Sequence, residues 1–102
     1  PNIHITEPMG YIDFMALISK AQYVITDSGG IQEETTYMQI PCYTLRSSTE
    51  RPITTTIGSN QLVTIDNLLE KIKKPKRGEI PPLWDGKTAF RVRECISKIF
   101  WV

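Results

Sequence analysis

The residues best suited to chemistry lie together in Asp27-Ser28-Gly29-Gly30-Ile31-Gln32-Glu33-Glu34. A short β-branched run, Val24-Ile25-Thr26, leads into them, and a helical stretch opens on their far side. This order predicts a buried strand, a tight turn and a helix whose first amides have no intrahelical partners. Those amides sit at the positive end of the helix dipole, so the position suits an anion. Gly29 and Gly30 allow close backbone approach because no Cβ intervenes, and Ser28 brings a hydroxyl to the cap position. The natural guest is a phosphate. Glu33 and Glu34 are expected in the first helical turn. The same turn composition also serves as a plain connection in proteins that bind nothing there. The stretch contains neither GxGxxG nor Gly-Lys-Ser/Thr, so it is not a dinucleotide fingerprint or a Walker loop.

These residues need a frame, and the hydrophobic pattern supplies one. Asn2 to Thr6 alternates apolar and polar residues and predicts a strand, broken by Glu7-Pro8-Met9-Gly10. Tyr11 to Lys20 predicts a helix with Tyr11, Phe14, Met15 and Ile18 on one face. Strand 23–26, a helix from about Gly30 to Met38, and strand Cys42-Tyr43-Thr44-Leu45 follow, with Pro41 ending the helix. Alternating strands and helices argue for a parallel sheet with crossover helices, and ligands of such sheets lie beyond the strands' carboxyl ends. That rule gathers Glu7-Pro8-Met9, the Ser-Gly-Gly turn and Arg46 to Pro52 along one rim. Later come a short helical turn over Ile53–Ile57, a short strand over Gln61–Thr64, and a helix from Asp66 to Lys73 capped by Asp66. A loop at Pro81–Gly86 precedes a last helix from Thr88, its cap, to about Phe100. That helix carries Ala89, Val92, Ile96 and Ile99 on one face. The basic run Lys71 to Arg77 reads as a solvated linker, because no aromatics interleave it.

Composition narrows the classes. The 102 residues are 40% hydrophobic and 23% charged with a net charge of +1, which gives no electrostatic case for nucleic acid or an anionic membrane. No apolar run approaches the roughly 20 residues of a membrane span. The chain opens on Pro1-Asn2 with a strand already under way, which suggests a fragment or a processed product. Cys42 and Cys95 lack CxxC spacing and read as reduced core thiols of a cytoplasmic protein. His4 is the only histidine and reads as a strand residue, so no metal is expected.

The eight-residue block Asp27–Glu34, followed by Ile40-Pro41, Leu45-Arg46 and Thr49-Glu50-Arg51-Pro52, resembles the carboxy-terminal domain of the UDP-N-acetylglucosamine 2-epimerase family. The likeness runs from Pro8-x-x-Tyr11-x-x-Phe14 through Trp84-Asp85-Gly86-Lys87-x-Ala89. It implies a Rossmann-like α/β domain, a parallel sheet with helices on both faces. This domain is one half of a two-domain fold of the glycosyltransferase-B type, with residues 1–102 making most of the second domain. The amino-terminal domain, which bears the general acid and base carboxylates, is expected to lie outside this chain, so no catalytic residue is named and the chain alone is expected to be inactive. The resemblance further implies a UDP-sugar substrate, no cofactor, a cytoplasmic location and a homodimeric full-length protein.

Carried onto this sequence, the resemblance has Ser28, Gly29 and Gly30 bind the diphosphate and Glu34 accept from the ribose hydroxyls. Phe14 would pack on the uracil, Met9 would meet the uracil edge through its backbone, and Arg51 would lie near the phosphates, with Arg46 a second cation there. Each has a plainer alternative: dipole compensation for Glu34, core packing for Phe14, a surface ion pair for Arg51. The sequence departs from the family's usual Leu-Gly-x-Pro at Met38-Gln39-Ile40-Pro41, from Pro-Glu at Pro52-Ile53, and from Val-Gly at Val63-Thr64. The first costs a helix-terminating glycine, and the second removes a carboxylate beside the cleft. The family interconverts UDP-N-acetylglucosamine and UDP-N-acetylmannosamine by eliminating UDP to give a glycal and re-adding it. Some relatives hydrolyse the intermediate instead. A glycosyltransferase of the same fold and a non-catalytic nucleotide-binding module are the other readings. The Thr49–Pro52 block argues against the glycosyltransferase.

Overall fold

Short β-branched and aromatic runs alternate with helical stretches in a computed structural model that describes residues 2–100. The order is α1 (Tyr11–Ser19), β1 (Val24–Thr26), α2 (Gly29–Met38), β2 (Cys42–Thr44), α3 (Pro52–Thr56), β3 (Asn60–Leu62), α4 (Leu68–Ile72) and α5 (Thr88–Phe100). The strands form one parallel sheet in the order β1-β2-β3, with Val24 opposite Cys42 and Cys42 opposite Asn60. Parallel pairing carries the carboxyl ends of all three strands to the same edge, as the alternation required. Backbone bonds extend the pairing past the strands, from Leu45 N–H to Thr26 O (2.8 Å) and from Val63 N–H to Thr44 O (2.8 Å).

The core is small and centred on β2. Cys42, Tyr43 and Thr44 are all fully buried, so this strand is covered on both faces, and α2 and α4 pack against it. Successive residues of a strand point to opposite faces, which is why an unbroken buried triplet marks the sheet's middle. Tyr43 meets Tyr23 edge-to-face at 5.8 Å, and burial pushes the Cys42 thiol up from its ordinary value. Ile18, Ile40 and Val63 complete the buried apolar set.

Several expectations are corrected. Residues 2–10 form no strand or helix, and Ile3 and Ile5 are 85% and 96% exposed. Alternation signals a strand only where a neighbouring edge and a covering surface exist, and among the described residues this segment has neither. The strand reading of His4 falls with it. On α1 only Ile18 of the expected apolar face is buried. The strand expected at Gln61–Thr64 lies at Asn60–Leu62. Asn67, not Asp66, precedes α4: its side-chain Oδ1 accepts from the Thr64 amide (2.8 Å), and its own backbone N–H donates to Thr64 Oγ1 (3.3 Å). Thr88 is the first residue of α5 instead of its cap. Cys95 is exposed and is no core thiol, because the whole of α5 lacks buried residues. The basic linker is docked in part: Lys76 Nζ donates to the Thr55 carbonyl, and desolvation lowers its pKa.

The end of α2 lacks the glycine that commonly terminates a helix. Gln39 occupies the left-handed region (φ 56°, ψ 40°) and ends the helix there. Its N–H bonds Thr36 O, and Ile40 N–H bonds Thr35 O at 2.9 Å. The Gln39 amide compensates by donating to the Gly78 carbonyl at 3.0 Å. An L-residue in this region costs about 1 kcal/mol, against about 0.5 kcal/mol for one exposed hydrogen bond. Gln39→Gly should therefore raise stability by about 0.5 kcal/mol, read as a higher urea midpoint at unchanged slope. A lower midpoint would show that the Gln39–Gly78 bond outweighs the backbone strain.

Candidate functional site

At the end of β1 the chain turns at once into α2. Thr26 Oγ1 accepts from the Ser28 amide at 3.0 Å and tightens the turn. Ser28 stands at the N-cap in extended conformation, and its hydroxyl makes no capping bond. A Cβ placed on Gly29 or Gly30 would meet no atom within 4 Å, and neither glycine has a positive φ. Backbone conformation therefore does not demand glycine at either position. What the two glycines keep is clear space in front of the first amides of α2.

Because α2 begins at Gly29, Glu33 and Glu34 fall in its second turn and no acidic residue occupies the first. This corrects the expected first-turn pair. The dipole's influence fades within one turn, which weakens compensation as the reason for a carboxylate at Glu34. The two neighbours instead reach different segments. Glu33 Oε1 accepts from Arg51 Nε at 2.8 Å, and Glu34 Oε1 accepts from the Tyr11 hydroxyl at 2.9 Å. Arg51 thus forms the surface ion pair weighed for it, while its two Nη groups make no hydrogen bond among the described residues. Arg46 pairs with Glu50 at 2.9 Å, and that hydrogen bond holds the Glu50 carboxyl below its usual value.

Met9, Phe14, Gly30, Glu34 and Arg46 line three shallow pockets, and Ser28, Gly29 and Arg51 line none of the three. Met9 (41% exposed) and Phe14 (36%) line one shallow pocket of about 220 Å³ with Thr6, Glu7, Pro8 and Leu17. Gly30 and Glu34 line another of about 340 Å³ with Glu33, Tyr37 and Trp84. Arg46 borders a third, between the ends of β2 and β3, with Ser47 and Thr64. Tyr11 links the first two, since it follows Met9 closely and holds Glu34. A further concavity, about 590 Å³, runs along α5 and is lined by none of these residues.

Two residues at the site escaped the sequence reading. Trp84 lies in the Pro81–Gly86 loop, which Arg91 pins through Asp85 (2.5 Å) and the Leu83 carbonyl (3.2 Å), and it lines the pocket beside α2. Gln32 is wholly buried, and its amide joins the turn to the segment after β2. Its place in the Asp27–Glu34 block was the available signal.

The model of the UDP-N-acetylglucosamine 2-epimerase family matches residues 1–97. The chain belongs to that family. UDP-N-acetylglucosamine 2-epimerase of Methanococcus maripaludis is 44% identical across 84% of this chain and 25% of its own length. That of Methanocaldococcus jannaschii is 43% identical across 93% of this chain and 27% of its own. The crystal structure of the latter enzyme with UDP-GlcNAc and UDP matches the fold with a TM-score of 0.79 and 37% identity, over 91% of this chain and 27% of that one. The Neisseria meningitidis enzyme bound to UDP-GlcNAc gives 0.68 and 38%, over 72% and 21%. The chain spans about a quarter of the length of the relatives it matches. The α/β parallel sheet expected from the motif is the fold of this family.

The Tyr11–Glu34 contact has a spectroscopic signature. The hydrogen bond from Tyr11 to Glu34 raises the phenol above its ordinary pKa, with desolvation and the negative charge adding in the same direction. Glu34→Gln removes the charge and weakens the bond, so the Tyr11 phenol should ionise at lower pH. Ultraviolet titration of phenolate should show one of the four tyrosines moving down. Superimposable curves would mean that the contact does not persist in solution.

Proposed function

We propose that this chain is the UDP-holding carboxy-terminal part of a longer UDP-N-acetylglucosamine 2-epimerase. The full enzyme interconverts UDP-N-acetylglucosamine and UDP-N-acetylmannosamine and draws its proton-transfer carboxylates from outside these residues. The observation that carries the reading is the open turn Ser28-Gly29-Gly30 at the start of α2, in a family whose solved members bind UDP-GlcNAc. The diphosphate would lie against the free amides and the uncommitted Ser28 hydroxyl. Fixed dipoles there would also stabilise charge gathering on the β-phosphate as it leaves the sugar. Glu34 would accept from the ribose diol, with Tyr11 fixing its orientation. Met9 and Phe14 would receive the uracil in the pocket they share, and Arg51 would turn its unused Nη groups to the phosphates. Anchoring UDP at both ends keeps it in place between elimination and re-addition, when only the glycal and free UDP are present. The full-length protein would act as a homodimer in the cytoplasm.

Sugar turnover by the full-length protein, followed by NMR with UDP-N-acetylglucosamine, tests the activity. Formation of the mannosamine epimer supports it, free N-acetylmannosamine marks a hydrolysing variant, and no change at the sugar removes it. The site is tested separately. A side chain at Gly30 meets open space, so Gly30→Val should leave the fold intact and abolish UDP binding by calorimetry. Glu34→Gln should weaken UDP binding roughly ten- to hundredfold through loss of a charged acceptor. Wild-type affinity in Gly30→Val would put the phosphates elsewhere. A lowered melting point with wild-type affinity in Glu34→Gln would assign that residue to stability alone.

A further inference from the structure

Gln32 is the most constrained polar side chain near the turn, and none of the contacts proposed for UDP uses it. It is 0% exposed, and its amide has three side-chain or backbone partners in three separate segments. Nε2 donates to the Ser28 carbonyl at 3.2 Å, in the turn after β1. Oε1 accepts from the Thr49 hydroxyl at 2.6 Å, in the segment after β2, and from Asn60 Nδ2 at 3.0 Å, on β3. The orientation is fixed by chemistry, because a carbonyl oxygen can only accept and so the amide nitrogen must face Ser28.

The contact to Thr49 is passed on. Thr49 Oγ1, having donated to Gln32, accepts from the Arg51 backbone N–H at 2.9 Å. Arg51 is the residue before α3, in a stretch from Leu45 with no regular structure, so its placement relies on such contacts. Its side chain is tied to Glu33, the next residue of α2 after Gln32. Asn60 closes the set from the other side: Oδ1 accepts from Thr44 Oγ1 (2.6 Å), Nδ2 also donates to Thr54 Oγ1 (3.1 Å), and Thr54 Oγ1 donates to the Arg51 carbonyl (2.7 Å). Each side-chain nitrogen and oxygen of Gln32 and Asn60 thereby has at least one partner within the protein. A buried network in which every nitrogen and oxygen is paired resists rearrangement, since moving any member orphans another.

We propose that Gln32 is a positioning residue that sets the spacing between the Ser28–Gly30 turn and Arg51, so that amides and guanidinium address one diphosphate together. The proposal rests on the reading of the turn as the UDP site. Gln32 itself touches no ligand: it lies beneath the turn, and its effect passes through Ser28 on one side and Thr49 on the other.

The test is calorimetric titration of UDP into the full-length protein and its variants, at a temperature where each is folded by circular dichroism. Gln32→Met keeps volume and removes all three bonds, and should weaken UDP binding by about tenfold. If Gln32 acts by placing Arg51, the two changes are not additive, and in an Arg51→Ala background Gln32→Met should cost less than about threefold. A residue that merely stabilises the fold would lower the melting temperature and leave the affinity of folded protein unchanged. Should Gln32→Met fail to fold, Thr49→Val cuts the same link from a half-buried loop position and carries the same expectation, with Thr49→Ser restoring most of the lost affinity. Wild-type protein that binds UDP, with Gln32 and Thr49 variants matching it, overturns this inference and leaves the UDP site standing. Wild-type protein that does not bind UDP overturns both.

Discussion

One buried amide connects the parts of this domain that the backbone leaves independent. A parallel sheet delivers its strand ends to one edge but says nothing about how the loops beyond them lie against each other. Here the loops after β1 and β2 meet through Gln32, which bonds Ser28 in one and Thr49 in the other, and Asn60 of β3 joins the same oxygen. Buried polar groups without partners are costly, so such a cluster holds only when complete. Its completeness is what makes the rim above β1 and β2 a defined surface.

Around this cluster the second turn of α2 works outward. Glu33 and Glu34 are adjacent in sequence, and a helix rotates adjacent side chains apart. One therefore reaches Arg51 beyond β2 and the other Tyr11 at the start of α1. Three consecutive residues of α2, Gln32 to Glu34, thus tie together the turn, the Arg51 segment and α1. The open glycine pair lies one turn earlier on the same helix, with nothing in front of it. A site built this way places rigid donors at a helix end and movable side chains around them.

The rest of the chain is held more loosely. The buried apolar set is small, and α1 and α5 leave apolar side chains uncovered: Ile12 and Leu17 on the one, Phe90, Val92, Ile96 and Ile99 on the other. Tight backbone crossings give some order to the linker between α4 and α5. Gly78 has a positive φ of 64°, and a Cβ on it would collide with the carbonyl of Gly58, so this crossing admits only glycine there. Glu79 N–H then bonds Ile57 O at 2.8 Å beside it.

What the sequence determined by itself was local chemistry and order. β-branched runs ending in Asp-Ser-Gly-Gly, a proline after α2 and helical periodicity in α5 were enough for the parallel α/β reading, because strand, turn and helix each depend on neighbours in the chain. The motif blocks were enough for the family, which the comparisons bear out over residues 1–97. Whatever depended on a distant partner was not legible. Among the described residues, Asn2–Thr6 has a strand's alternation but no edge to pair with, and Cys95 sits on an amphipathic helix with no covering surface. Gln32 was visible as a letter within a motif, but its three partners lie in segments that only the sheet brings together. Hydrogen bonds between side chains far apart in sequence leave no periodicity to read, and so the tertiary structure alone decided what this glutamine does.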